Sequence, residues 1–111
     1  MSASQSTALL TDMYELTMVD SALQNGMAHR QCVFELFTRR FPASRRFLVA
    51  AGIGRILEGL QRFRFDEAQL RYLADNRIVG AETLKYLENY RFSGDILGYA
   101  EGEVFLPTLQ F

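Results

Sequence analysis

Gln31-Cys-Val-Phe-Glu-Leu-Phe-Thr-Arg-Arg40 is the stretch on which the fold class turns. It is rich in strand-forming residues and reads as a β-strand. Strand side chains alternate, so Cys32, Phe34 and Leu36 fall on one face and Val33, Glu35, Phe37 and Arg39 on the other. The first face is expected to be core. The second mixes apolar and charged groups, as a surface or interface does. Pro42 to Arg46 reads as a turn, and Phe47-Leu-Val-Ala-Ala51 as a second strand.

Outward from these strands the period becomes helical. Before them, a helix begins at Thr11 or Asp12, either of which can cap free amides, and Asp12 with Glu15 resembles a capping box. Met13, Leu16 and Leu23 form one stripe, with Tyr14, Met18 and Ala22 beside it. Asn25-Gly26 stops this helix. After Gly52, residues Ile53, Ile56, Leu57, Leu60 and Phe63 follow helical spacing, with Gly59 a weak point costing about 1 kcal/mol against Ala. Asp66 starts a third helix: it pairs with Gln69 as a box, and Phe65 with Leu70 as a hydrophobic staple. A fourth runs from about Ala81 to Tyr90, with Leu84, Leu87 and Tyr90 inward. Asp95–Ala100 and Glu103–Leu106 flank Glu101-Gly102 as a predicted β-hairpin. The order is helix, two strands, three helices, hairpin. This predicts an α+β fold with a small, largely antiparallel sheet and helices packed on one side.

A chain of 111 residues suits one globular domain spanning 1–111. The composition is 49% apolar and 23% charged, with nine Phe, five Tyr and no Trp, which suggests a core built on rings. The formal net charge of -1 gives no general attraction to nucleic acid or anionic membrane. One cysteine, Cys32, has no disulfide partner and fits a reducing compartment. The first residues, Met1-Ser-Ala-Ser-Gln-Ser-Thr, lack the features of a signal peptide, and no apolar run reaches transmembrane length. The expected location is the cytoplasm.

Two constellations carry chemistry. Leu9-Leu-Thr-Asp-Met-Tyr-Glu-Leu-Thr-Met18 places Asp12 and Tyr14 at a helix start, where free amides and the positive end of the dipole lie. A ring there can stack on a flat heteroaromatic ligand for about 0.5–1.5 kcal/mol beyond area burial. On the residues alone, a helix cap and an ordinary half-buried tyrosine account for the same pattern. The second constellation is Arg39, Arg40, Arg45 and Arg46 around Pro42-Ala-Ser. Guanidinium forks suit phosphate. Strand geometry points Arg39 and Arg40 to opposite faces, and a solvated loop explains Arg45 and Arg46 better. His29 reads as a surface residue without ligand partners. Gly52-Ile-Gly54 lacks the remaining features of a phosphate loop and reads as a turn before a helix. Asp95, Glu101 and Glu103 read as solvated carboxylates of a turn rather than a metal site.

Thr11-Asp-x-Tyr-Glu-Leu-Thr-Met18 resembles the opening signature of the nicotinate phosphoribosyltransferases, of the bacterial type. The likeness continues through Val33-Phe-Glu-Leu-Phe-x-Arg-Arg40, Ala50-Ala-Gly52, Phe63-Arg-Phe65, Tyr90-Arg-Phe-Ser-Gly-Asp95 and Glu101-Gly-Glu103, from about Ala8 to Pro107. The resemblance implies the N-terminal domain of an enzyme that joins nicotinate to phosphoribosyl pyrophosphate, giving nicotinate mononucleotide and pyrophosphate, with ATP hydrolysed and Mg²⁺ required. It implies a homodimer whose active site lies where this small domain meets the barrel domain of a partner subunit. It also implies that Tyr14 stacks on the pyridine ring, that Asp12 shapes the pocket beside it, and that Arg39 or Arg40 lies near substrate phosphates.

The sequence holds no Gly-rich phosphate cradle, no acidic pair suited to Mg²⁺ and no catalytic barrel. The segment Thr108-Leu-Gln-Phe111 departs from the family pattern, and Leu109 with Phe111 reads as an apolar tail left by truncation. The chain alone is therefore expected to bind neither ATP nor Mg²⁺, to contain no catalytic residue and to show no turnover. A stand-alone, non-catalytic interaction or oligomerisation module is the alternative reading, since an apolar surface without its barrel favours association.

Overall fold

The structure, a computed structural model, describes residues 6–107. In chain order it contains α1 (Met13–Gln24), β1 (Leu48–Val49), α2 (Ile53–Arg62), α3 (Glu67–Asp75), α4 (Ala81–Glu88) and β2 (Val104–Phe105). Four helices and one two-stranded antiparallel sheet among the described residues make the fold α+β, as the periodicities predict. The chain divides into two compact units. The first is Met1–Gln31 with Gly59–Ser93; the second is Cys32–Glu58 with Gly94–Phe111. Residues 108–111, with the expected apolar tail, lie outside the described residues.

The first unit is helical, and its core gathers residues from both of its segments. Ala8, Leu16, Phe65, Leu73, Val79 and Leu87 are buried together, with Leu9, Val19, Phe63, Leu70, Ile78, Leu84 and Tyr86 packed around them. Leu73 is wholly buried, a placement that stabilises by about 1.5–3 kcal/mol relative to exposure. The expectation of a ring-built core is corrected here. Phe65 is the one aromatic in the buried cluster, and rings act at its edge, as in the edge-on pairs Phe63–Phe65 and Phe63–Tyr90 at 5.8 and 6.0 Å.

Local chemistry explains the helix ends. Asp66 Oδ1 accepts from the Gln69 amide at 2.8 Å while Gln69 Oε1 accepts from the Asp66 amide at 3.0 Å, so the predicted capping box forms. Flanking it, buried Phe65 and half-buried Leu70 both join the core. At α1, Asp12 holds the N-cap position with extended backbone, but its side chain makes no capping bond. The Asp12–Glu15 box does not form, because Thr11 Oγ1 donates to the Glu15 carboxylate instead. At the other end Asn25 Nδ2 donates to the Ser21 carbonyl at 2.7 Å, and Gly26 takes a positive φ of 69°, ending the helix where Asn-Gly predicts.

The second unit is thinner. β1 and β2 pair antiparallel, with Leu48 opposite Phe105 and Val49 opposite Val104. Ala50 extends the pairing: its amide donates to the Glu103 carbonyl at 2.8 Å and its carbonyl accepts from the Gly102 amide at 2.7 Å. The predicted turn at Glu101-Gly102 exists, with Gly102 at φ 83°. The predicted hairpin does not, because β2 pairs with β1 and 95–100 forms no strand. The strand expected over 31–40 is likewise absent. Among the described residues, 31–41 make no backbone hydrogen bond, and a strand without a ladder has nothing to hold it. Phe34 and Leu36, expected in the core, are 90% and 99% exposed, and Cys32 is exposed too. The second predicted strand survives as Leu48–Val49 alone.

Helix α2 begins in the second unit and ends in the first. None of its residues is buried; Ile53 and Leu60 are half-buried, while Ile56 and Leu57 are exposed. Its apolar stripe is present in sequence, but only its two ends are partly covered and the middle, Ile56 and Leu57, stays exposed.

Candidate functional site

The backbone at the start of α1 sets out the first constellation. Asp12 is the N-cap and Tyr14 the second helical residue, so both side chains spring from the same turn. Tyr14 is 59% exposed, flanked by Met13 at 63% and Met18 at 59%. Tyr14 is no half-buried core tyrosine: its neighbour Leu16 takes the core position and leaves the ring on the surface. Thr17 Oγ1 donates to the Tyr14 carbonyl at 3.1 Å, and the Thr11–Glu15 bond lies one turn away. The result is a ring with two methionine neighbours on an acidic helix start. A neutral aromatic face suits that setting, and the dipole end offsets part of the acidic charge.

Arg39 and Arg40 belong to the other compact unit. Both are exposed, and because 31–41 is not a strand, the alternation that assigned them to opposite faces does not apply. Arg45 donates its amide to the Pro42 carbonyl at 2.8 Å, closing the predicted turn, and Arg46 is exposed beside it. His29 is exposed and meets Tyr86 edge-on at 5.9 Å. It is thus a surface ring, as the sequence suggests.

An open cleft of about 520 Å³ lies in the helical unit, lined by Leu23, Lys85, Tyr86, Tyr90, Arg91 and Ser93 among others. Tyr14 is not in its lining. Leu23 sits nine residues further along α1, about 13 Å at the rise of an α-helix. This cleft and the motif-bearing turn are therefore separate places.

Two residues that the motif reading passed over have the most specific polar geometry. Asp20, inside α1, accepts from Thr83 Oγ1 at 2.5 Å and from the Gly80 amide at 3.0 Å. Gly80 is the N-cap of α4 and has no side chain to cap with, so Asp20 supplies the cap from a different helix. Those bonds, the Thr83 hydroxyl foremost, hold the Asp20 carboxyl below its ordinary range against a smaller opposing effect of burial. Thr83 is buried with its hydroxyl satisfied. The only sequence signal was a polar residue midway along a helix facing a glycine-started one. Glu101 is the second: exposed, as expected of a solvated turn carboxylate, it also accepts from the amides of Gly52 and Ile53.

Among the described residues no group of three or more His, Cys, Asp or Glu is placed to hold a metal ion. No helix of the described residues is long and apolar enough to cross a membrane.

A helical unit presents an aromatic motif at the start of α1, and a second unit holds a small antiparallel sheet. The family described as the nicotinate phosphoribosyltransferase (NAPRTase) N-terminal domain matches residues 9–110, and the chain belongs to it. The chain is 52% identical over 99 residues to nicotinate phosphoribosyltransferase pncB1 of Mycobacterium tuberculosis, covering 89% of this chain and 22% of that protein. It is 41% identical over 101 residues to pncB2 of the same organism, covering 91% and 22%. Against the nicotinate phosphoribosyltransferase of Bacillus subtilis it is 36% identical over 70 residues, covering 63% and 14%. The chain thus spans about a fifth of the length of these mycobacterial relatives.

Proposed function

We propose that this chain is the nicotinate-facing N-terminal domain of an enzyme of NAD biosynthesis. That enzyme makes nicotinate mononucleotide and pyrophosphate from nicotinate and phosphoribosyl pyrophosphate, with ATP hydrolysis and Mg²⁺. Tyr14 carries the reading: an aromatic residue in the family's opening motif stands 59% exposed at a helix start while its neighbour Leu16 takes the core position. Such a ring is free to stack on a pyridine. Asp12, on the same turn, bounds the ring's edge and turns the nicotinate carboxylate away. Arg39 and Arg40 are the phosphate-binding candidates, since their exposed forks are free to meet oxyanions. The barrel domain of a partner subunit completes the site in a cytoplasmic homodimer and supplies the groups that stabilise the departing pyrophosphate.

This division of labour leaves the isolated chain without turnover. Purified chain incubated with nicotinate, phosphoribosyl pyrophosphate, ATP and Mg²⁺ is expected to form no nicotinate mononucleotide. Its formation above the enzyme-free background refutes the proposal that catalysis lies in another domain.

The exposure of Val33, Phe34, Leu36 and Leu97 favours a second reading, a non-catalytic interaction module. The coding sequence after Phe111 discriminates the two. An in-frame barrel supports the enzyme domain, and a stop with no separate barrel gene supports the module.

A further inference from the structure

In the second unit, the two-residue ladder is too short to hold the 94–107 segment by itself; short strand pairs are marginal in water. A side chain reinforces it. Glu101 directs both carboxylate oxygens at the start of α2: Oε1 accepts from the Gly52 amide at 2.8 Å and Oε2 from the Ile53 amide at 2.7 Å. Gly52 has a φ of 85°, the left-handed conformation that turns consecutive amides toward one point. From the same turn, the Gly102 amide and Glu103 carbonyl bond to Ala50, and the Glu103 carboxylate accepts from the Ala100 amide at 3.0 Å.

We propose that Glu101 is a charge-dependent latch that locks the 94–107 segment onto the corner between β1 and α2, and that the sheet loosens when the latch is neutralised. Four hydrogen bonds converge on three residues of that corner, Ala50, Gly52 and Ile53; two of the four come from one carboxylate. Protonation turns one carboxyl oxygen into a donor and removes the charge assistance at the other, so a single proton weakens both side-chain bonds together. Glu103 is occupied by Ala100, and Arg55, in the first turn of α2, forms no ion pair among the described residues. The amides of Gly52 and Ile53, in that order, hold the Glu101 carboxyl below its ordinary range, with Gly54 adding to them and burial opposing. The ionised latch therefore persists through neutral and mildly acidic pH. It releases as pH falls through the lowered value.

Amide hydrogen exchange by NMR, on the chain as it stands, tests this. Wild type is expected to protect the Gly52 and Ile53 amides, and with them the Ala50 and Gly102 amides, at neutral pH; once the intrinsic pH dependence of exchange is removed, protection falls on acidification. Glu101→Gln keeps the shape but loses the charge, and is expected to lower protection at all four amides at neutral pH by about tenfold or more and to abolish the acid step. Protection of α3 and α4 amides in the same spectra serves as the folding control. If Glu101→Gln leaves Ala50 and Gly102 protected as in wild type, or if the acid step survives in it, the latch is overturned. Should the variant lose the control protection as well, Glu101→Asp decides: recovery of the acid step with folded helices upholds the latch, and its absence overturns it.

Discussion

The two compact units spend their apolar residues in opposite ways. In the helical unit, Leu16, Phe65, Leu73, Val79 and Leu87 converge from three helices and the segments between them, and each is nearly or wholly buried. In the other unit Ala50 is the buried apolar residue, while Val33, Phe34, Leu36 and Leu97 stand 90–100% exposed. Similar side chains have opposite fates because helices satisfy their own backbone and bring only their faces to the core. Strand-forming segments need a neighbour before they can bury anything. The helical unit is thus stabilised by packing, and the sheet unit by a short ladder and Glu101. The unit with the better core also presents Tyr14.

Breaking the helical core has the largest expected effect. Leu73→Ala is predicted to cost about 2–5 kcal/mol, measured as a lower denaturant midpoint by far-ultraviolet circular dichroism. A loss below about 0.5 kcal/mol, the size of an ordinary surface substitution, would place the core elsewhere. Next is Asp66→Ala, which removes one half of the capping box at α3 and is predicted to cost about 0.5–2 kcal/mol by the same measurement.

The Asp20 cap sharpens the contrast through pH. Its carboxyl is held below the ordinary range by Thr83 and Gly80, so its stabilising effect is present above the unfolded value and lost as pH falls through the folded one. Asp20→Asn is expected to flatten that acid-side slope of thermal stability in the helical unit. An unchanged slope means the cap carries no charge-dependent stability. The smallest effect is predicted for Leu36→Ser: at 99% exposure it should change stability by less than about 0.5 kcal/mol in this chain. A larger loss would show that the 31–41 segment is covered after all.

The same contrast explains what the sequence made legible. The Asp66–Gln69 box, the Asn25-Gly26 stop and the inward Leu87 are written within a few residues, and all are found in place. The start of α1 was only half legible. Asp12 occupies the cap position, yet Thr11 competes for Glu15 and leaves the box unmade. Residues 31–40 have the composition of a strand, but composition does not name the partner strand, and the pairing that forms joins Leu48–Val49 to a segment more than fifty residues on. Asp20 and Glu101 were illegible for a similar reason: their acceptor oxygens meet amides 60 and 49 residues away. Of the site, the aromatic motif was visible in sequence. That its ring stands outside the core required the fold.

The proposal that Tyr14 forms the pyridine-facing edge of the active site is tested most directly in a full-length enzyme carrying this domain. Tyr14→Ala is predicted to raise the KM for nicotinate by about tenfold, the equivalent of the roughly 1.4 kcal/mol expected for a lost aromatic stack, with the KM for phosphoribosyl pyrophosphate nearly unchanged and the helical content intact. Equal increases for both substrates, or none for nicotinate, would contradict it.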